Sequence, residues 1–145
     1  MLECLLRLTD FQEYYGYDLA EALLTHIDPR VTTQVYDLNH PTPLPLVDAT
    51  IMAGVIQYLF DDQAVDQVLS QITSPVAWIR STCTLQAENE PVERNGYASL
   101  YRTLPNTHGL LERHFEVCAV DRVYPDAIES PFGTKQFYFE CRRRK

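Results

Sequence analysis

Glycine is scarce in this sequence, and the glycines stand apart from one another. The 145 residues include five: Gly16, Gly54, Gly96, Gly109 and Gly133. A phosphate-binding turn between a strand and a helix needs several glycines within a few residues, because the backbone must approach the ligand closely. Residues 2–8 also have helical spacing where such a domain would begin with a strand. A domain for a phosphate-bearing nucleotide is therefore disfavoured.

Clustered metal ligands, basic residues and long apolar runs are scarce too. Cys4, Cys83, Cys118 and Cys141 are scattered, and the histidines do not complete a metal site, so we expect reduced, buried thiols and no metal. The net charge of −8 argues against a nucleic-acid partner. No apolar run approaches roughly 20 residues, and no signal-peptide pattern is visible. We expect a cytoplasmic protein with no membrane partner.

Strand-like and helix-like segments alternate along the chain. This pattern predicts one α/β domain over residues 1–145, with a mostly parallel sheet between two helical layers and an antiparallel pair formed by the last two strands. Polar, poorly periodic residues predict a long loop over 84–103. The predicted strands are 13–17, 31–36, 49–56, 76–83, 115–123 and 136–141, and the predicted helices are 2–8, 19–27, one starting near 61 and one starting near 104.

Some of these segments carry finer predictions. The helix over 19–27 should bury Leu23, Leu24 and Ile27 on one side. The nearly continuous apolar run 49–56 is typical of a central strand that is covered on both faces. Asp61 and Asp62 should cap the helix that follows them, since carboxylates suit a helix N-terminus.

Two carboxylates follow successive predicted strands. Because right-handed crossovers place all strand-to-helix turns of a parallel sheet on one edge, Asp18 and Asp37 should lie together there. One carboxylate can accept hydrogen bonds from a ribose diol and the other from an exocyclic amine. Each also has an ordinary interpretation, a helix cap for Asp18 and a turn for Asp37. The residues alone leave both alternatives open.

A third candidate lies where the apolar strand runs into Gly54 and the Gln57–Tyr58 step. Glycine there would let a ligand approach the backbone. The alternative is a glycine needed for helix packing and a tyrosine half-buried at the surface.

These segments together resemble consecutive stretches of a class I S-adenosylmethionine-dependent methyltransferase. The resemblance rests on residues 15–24 (YGYDLAEALL), 35–38 (VYDL), 43–45 (PLP) and 47–50 (VDAT), with 54–62 (GVIQYLFDD) after them. It continues through 101–102, 110–117 and 135–143, and so covers the chain from residue 2 onward. The family's central first strand and its glycine-rich motif have no counterpart, which leads us to expect an N-terminally truncated domain.

The resemblance implies roles for particular residues. It assigns the cofactor ribose to Asp18, the adenine to Asp37, and the cofactor and substrate pocket to Gly54, Gln57 and Tyr58. Leu19 and Leu38, which follow the two carboxylates, are further cofactor-binding candidates. No catalytic residue is identified, and the candidates for shaping an acceptor pocket are Tyr58, Tyr97, Tyr101 and His108.

The function that the resemblance implies is methyl transfer from S-adenosylmethionine to a small-molecule acceptor. Without the glycine-rich motif, we expect this chain to be weakly active or inactive. The alternative is a catalytically silent, methyltransferase-like interaction module. Because the family's first strand is central, its absence would leave two sheet edges exposed, and we expect self-association through them.

Overall fold

The computed structural model describes residues 6–7, 9–94, 96–129 and 133–144. The chain divides into two compact units, an N-terminal unit (Met1–Pro41) and a C-terminal unit (Thr42–Lys145). The helix predicted over 2–8 lies largely outside the described residues, of which 6–7 are helical. None of the described helices is long and apolar enough to cross a membrane. The single domain over 1–145 stays a prediction.

Two parallel strands form the sheet of the N-terminal unit. Strand β1 (Tyr14–Asp18) pairs with β2 (Val31–Val35) in the register that sets Tyr14 beside Val31 and Asp18 beside Val35. β-branched residues dominate β2, which suits an extended backbone. Both strands lie within one residue of their predicted ends.

The helix between these strands is much shorter than predicted. Helix α1 (Glu21–Leu24) has four residues, and Leu23 is 61% exposed, so the predicted buried stripe is wrong. Locally, the Leu23 amide bonds to the carbonyl of Ala20, three residues back, and the Thr25 hydroxyl bonds to that of Ala22. A single turn closed in this way gains too few hydrogen bonds to propagate as an isolated helix.

Four strands form the main sheet of the C-terminal unit, in the order β3-β4-β8-β7. Strand β3 (Ala49–Ala53) runs parallel to β4 (Val76–Thr84), and the remaining pairings are antiparallel. This confirms a mixed α/β fold that ends in an antiparallel pair, β7 (Phe115–Arg122) and β8 (Thr134–Arg143). The other elements are a 3₁₀ helix (Ile56–Tyr58), α2 (Asp62–Gln71), β5 (Glu90–Arg94), β6 (Tyr97–Tyr101), α3 (Leu104–Glu112) and α4 (Asp126–Glu129).

The core of this unit lies on one face of the sheet. Burial alternates along β4, where Ala77, Ile79, Ser81 and Cys83 are buried and the residues between them are partly exposed. Helix α3 packs against β4 and β7, and α2 packs against α3. Asp61 caps α2 by accepting a hydrogen bond from the Gln63 amide, as predicted. The helices bury Val65, Val68, Leu69, Leu110 and Leu111.

The predicted loop over 84–103 is wrong, because β5 and β6 form an antiparallel hairpin there. Gly96, with φ of 78°, lies in its turn and adopts the left-handed conformation that glycine permits. Many side chains of the hairpin are exposed. A hairpin that buries little needs no alternation of apolar residues, so the hydrophobic pattern gave no signal.

The apolar run 49–56 also differs from its prediction. The strand ends at Ala53, and Ile51 is 37% exposed while Met52 is buried, so the two faces are not both covered. In the described part of the chain β3 pairs only with β4, which makes it an edge strand rather than a central one. Apolar composition alone does not distinguish an edge strand from a central one, because the neighbouring strands decide which of the two a strand becomes.

Candidate functional site

Asp18 and Asp37 lie at the same edge of the N-terminal sheet, as predicted. Asp18 is the last residue of β1, and its carbonyl accepts a 2.9 Å hydrogen bond from the amide of Tyr36, one residue before Asp37. Parallel pairing therefore carries both carboxylates to the C-terminal ends of adjacent strands. We call this pair of strand ends the aspartate edge.

The Asp18 side chain is partly committed to its own turn. Its Oδ1 accepts a 2.8 Å hydrogen bond from the Ala20 amide just before α1. Asp18 is exposed, and its Oδ2 has no hydrogen-bond partner within the described ranges. Leu19 is 64% exposed, whereas Leu38 is half-buried. The cap interpretation is thus realised, and one carboxylate oxygen stays available to a ligand.

Asp37 is held by a tight turn. Its Oδ1 accepts from the Asn39 amide at 2.9 Å and from Asn39 Nδ2 at 3.0 Å, while Oδ2 accepts from His40 Nδ1 at 3.0 Å. The hydrogen bond from His40, followed by that from the Asn39 amide, lowers the pKa of the Asp37 carboxyl below its ordinary value. The carboxylate is therefore kept ionised and fixed in orientation.

In the C-terminal unit, β3 ends at Gly54. This glycine has φ of 70°, and its amide donates a 2.9 Å hydrogen bond to the carbonyl of Arg80 in β4. A Cβ placed on Gly54 would lie 3.5 Å from Nη2 of Arg80 and 3.8 Å from Nε2 of Gln57, at ordinary contact distance. Backbone conformation, rather than lack of space, requires glycine here.

Two polar side chains beside Gly54 are left without partners. Arg80 Nε is a buried donor without an acceptor, and Gln57 Oε1 is a buried acceptor without a donor. Among the described residues, Glu129 Oε2 is the one other buried side-chain atom without a hydrogen-bond partner. We call this group, Gly54 with Gln57 and Arg80, the arginine edge. Sequence reasoning identified Gly54 and Gln57 but missed Arg80, whose signal was a lone charge within the strand VAWIRSTC.

A second arginine fixes the segment that follows Gly54. Arg102 is 2% exposed, and its Nη2 donates to the carbonyl of Leu59 at 2.9 Å. Its Nε donates to Asp62 Oδ1 at 2.9 Å, and its Nη1 to the carbonyl of Ile56 at 3.4 Å. The guanidinium thereby ties the 3₁₀ helix to the start of α2. Sequence reasoning gave this residue no role, because its partners lie about 40 residues away along the chain.

The predicted acceptor-site tyrosines are only partly brought together. Tyr58, 48% exposed, lies in the 3₁₀ helix, against which β6 packs. Tyr101 is half-buried at the end of β6 that leads into Arg102. Tyr97, 71% exposed, lies at the other end of β6, beside the hairpin turn. Their roles in binding stay predictions.

Comparison with known proteins gives matches in structure and none in sequence. No family model matches the chain, and neither does any curated protein sequence. A solved S-adenosylmethionine-dependent methyltransferase from Mesorhizobium loti superposes with a TM-score of 0.67 at 18% identity, over 91% of this chain and 81% of that one. The 1,6-didemethyltoxoflavin-N1-methyltransferase of Burkholderia thailandensis, solved with bound 1,6-didemethyltoxoflavin and S-adenosylhomocysteine, superposes with a TM-score of 0.67 at 15% identity, over 90% of this chain and 61% of that one.

The chain therefore has the class I methyltransferase fold, as the resemblance implied. The fold is not tied to one activity, since the [4+2]-cyclase SpnF superposes with a TM-score of 0.70 at 12% identity, over 98% of this chain and 70% of that one. At such identities the likeness establishes the fold, and the activity has to be argued from residues.

Proposed function

We propose that this chain serves methyl transfer from S-adenosylmethionine to a small-molecule acceptor. The observation that carries the proposal is the aspartate edge, where two carboxylates end adjacent parallel strands in a class I methyltransferase fold. The free Oδ2 of Asp18 suits a ribose hydroxyl, and the turn around Asp37 holds a second carboxylate one strand away. Leu19 and Leu38 follow these carboxylates directly and supply apolar contact.

When bound, the cofactor supplies an electrophilic methyl group on its sulfonium, and transfer is a direct displacement. The contribution of the chain is then to bind and to orient, since aligning the two reactants removes much of the entropic barrier. The small-molecule class is supported by the acidic balance of the chain and by the Burkholderia protein, which is named for a small-molecule substrate.

Cofactor affinity is proposed to be low. A glycine-rich turn gives backbone amides access to a ligand, and no two glycines of this chain are close together in sequence. The aspartate edge alone provides few contacts. Activity of this chain by itself is accordingly proposed to be weak or absent.

Amide NMR with S-adenosylhomocysteine tests the proposal. In a ¹⁵N-labelled chain titrated to millimolar ligand, we expect localised shifts at residues 18–20 and 37–39. Asp18→Asn and Asp37→Asn should each weaken the response several-fold, because a ligand hydrogen bond to a charged group is lost. Asp48→Asn, an exposed loop carboxylate, is the matched control. Shifts confined to other parts of the chain, or equal losses in the control, would contradict the proposal.

A second candidate function, a catalytically silent interaction module, is favoured by the edges of the main sheet. The open edge β3 (ATIMA) has no charge and no proline, whereas the opposite edge β7 carries Glu116, Asp121 and Arg122 and a bulge between Val117 and Ala119. Charges and bulges are common protections against edge pairing. Only β7 has them, so β3 is proposed to pair with another chain, in the simplest case a second copy.

A further inference from the structure

The geometry points to an oxyanion site at the arginine edge, in which Arg80 and Gln57 bind the carboxylate end of a small acid. This inference goes beyond the proposed function, because it rests on residues of the C-terminal unit alone and would stand if the chain transferred no methyl group. The acid expected there carries an N–H or O–H group next to its carboxylate.

The first argument is the unpaired charge of Arg80. The guanidinium of Arg80 forms no hydrogen bond or ion pair with the described residues, in a chain that has 20 acidic side chains. On the same face of the sheet, Glu140 is paired in register with Trp78, whereas Arg80 is paired with Tyr138. The guanidinium Nε is buried without a partner, while the residue as a whole is half-buried.

The second argument is that two side chains with a buried, unpaired polar atom both lie beside Gly54. Native structures leave few buried polar atoms unpaired, and each one calls for an explanation. Two of the three in the described residues, Arg80 Nε and Gln57 Oε1, belong to side chains that meet around Gly54. A Cβ at Gly54 would lie 3.5 Å from Arg80 Nη2 and 3.8 Å from Gln57 Nε2, so its absence leaves at least the volume of a methyl group beside both side chains.

The donor and acceptor types define the ligand. A planar guanidinium matches a carboxylate, with two parallel N–H donors. The Gln57 oxygen is an acceptor, so it needs a donor beside that carboxylate. An α-amino acid or a hydroxy acid has both groups at this spacing. The same chemistry can come from the aminobutyrate end of a nucleoside cofactor or from a separate small acid.

Two matched ligand pairs distinguish these sources. S-adenosylhomocysteine is compared with 5′-methylthioadenosine, which lacks the carboxylate, and salicylate is compared with neutral salicylamide. We expect the acid of at least one pair to bind roughly ten- to a hundredfold more tightly than its neutral partner, with shifts of the Gly54 amide and the Arg80 Nε–H resonance. A preference in the first pair assigns the carboxylate to a nucleoside ligand, and one in the second pair assigns it to a separate acid.

Arg80→Gln should remove that preference, and Arg142→Gln is the control. Arg142 lies on the same face of the same sheet, opposite Val76, and its loss changes the net charge equally. Equal binding within both pairs, a preference that survives Arg80→Gln, or a preference that Arg142→Gln abolishes equally would overturn the inference.

A variant of Gln57 keeps the test independent of folding of the Arg80 variant. Gln57→Glu has nearly the same shape and places a carboxylate of the chain itself beside the unpaired guanidinium. We expect a higher melting temperature than that of the native chain and loss of the acid preference, because the site then holds its own anion. An unchanged or lower melting temperature with the preference retained would overturn the inference.

Discussion

The aspartate edge and the arginine edge each lie where a parallel strand ends, and their chemistry is opposite. In the N-terminal unit β1 and β2 end side by side, whereas in the C-terminal unit β3 ends beside Arg80, which lies within β4. At the first, Asp18 and Asp37 accept hydrogen bonds from nearby turn residues. At the second, the side chains of Arg80 and Gln57 have no hydrogen-bond partner among the described residues. The comparison indicates that the carboxylates fold their own turns and that the arginine edge is left incomplete for a ligand.

Arg102 has the largest expected effect, because it fixes the segment that carries Gln57. Arg102→Met keeps much of the side-chain volume but leaves the Leu59 carbonyl without its guanidinium donor and the Ile56 carbonyl with the Leu59 amide alone. We expect it to lower the free energy of unfolding by about 3 kcal/mol, measured by urea denaturation. The matched control is Arg113→Met, which removes an exposed ion pair with Asp66 and should cost less than about 1 kcal/mol. Equal losses of unfolding free energy in the two variants would show that the Arg102 hydrogen bonds do not stabilise this segment.

The next prediction concerns the two edges of the main sheet. Ile51 on β3 and Val120 on β7 are both 37% exposed. If the unprotected edge of β3 mediates self-association, Ile51→Lys should reduce it and Val120→Lys should not, since β7 already carries charge. Sedimentation velocity over a range of concentrations measures the effect. A native chain that sediments as a monomer at every concentration would refute the prediction.

The smallest expected effect is the pH dependence that arises from Asp37. Its pKa is lowered in the folded chain, so its contribution to stability is present above the ordinary carboxyl pKa and is lost as the pH falls through the lowered value. His40→Ala should raise the Asp37 pKa more than Asn39→Ala does. The His40 hydrogen bond is the largest cause of the lowered pKa, and Asn39→Ala removes only the weaker side-chain hydrogen bond and keeps the backbone amide. Carboxyl ¹³C titration measures both variants, and an unchanged pKa in His40→Ala would be evidence against this assignment.

Much of the fold could be predicted because it depends on local signals. The strand boundaries around Asp18, the cap at Asp61 and the antiparallel pair that ends the chain follow from periodicity and capping. The hairpin β5–β6 could not, since its many exposed residues lack an apolar alternation. The prediction for helix α1 was wrong for the opposite reason: the apolar spacing of a buried helix was present, yet Leu23 is exposed.

The sequence by itself determined that Asp18 and Asp37 would share an edge, because residues that end successive parallel strands must do so. Only the tertiary structure determined which residues form the arginine edge and which groups Arg102 binds. Arg80 and Gln57 are 23 positions apart in sequence, and Arg102 reaches carbonyls 43 and 46 residues away. Whether a buried polar atom has a hydrogen-bond partner depends on which segments pack against it, and a local sequence pattern does not predict that packing.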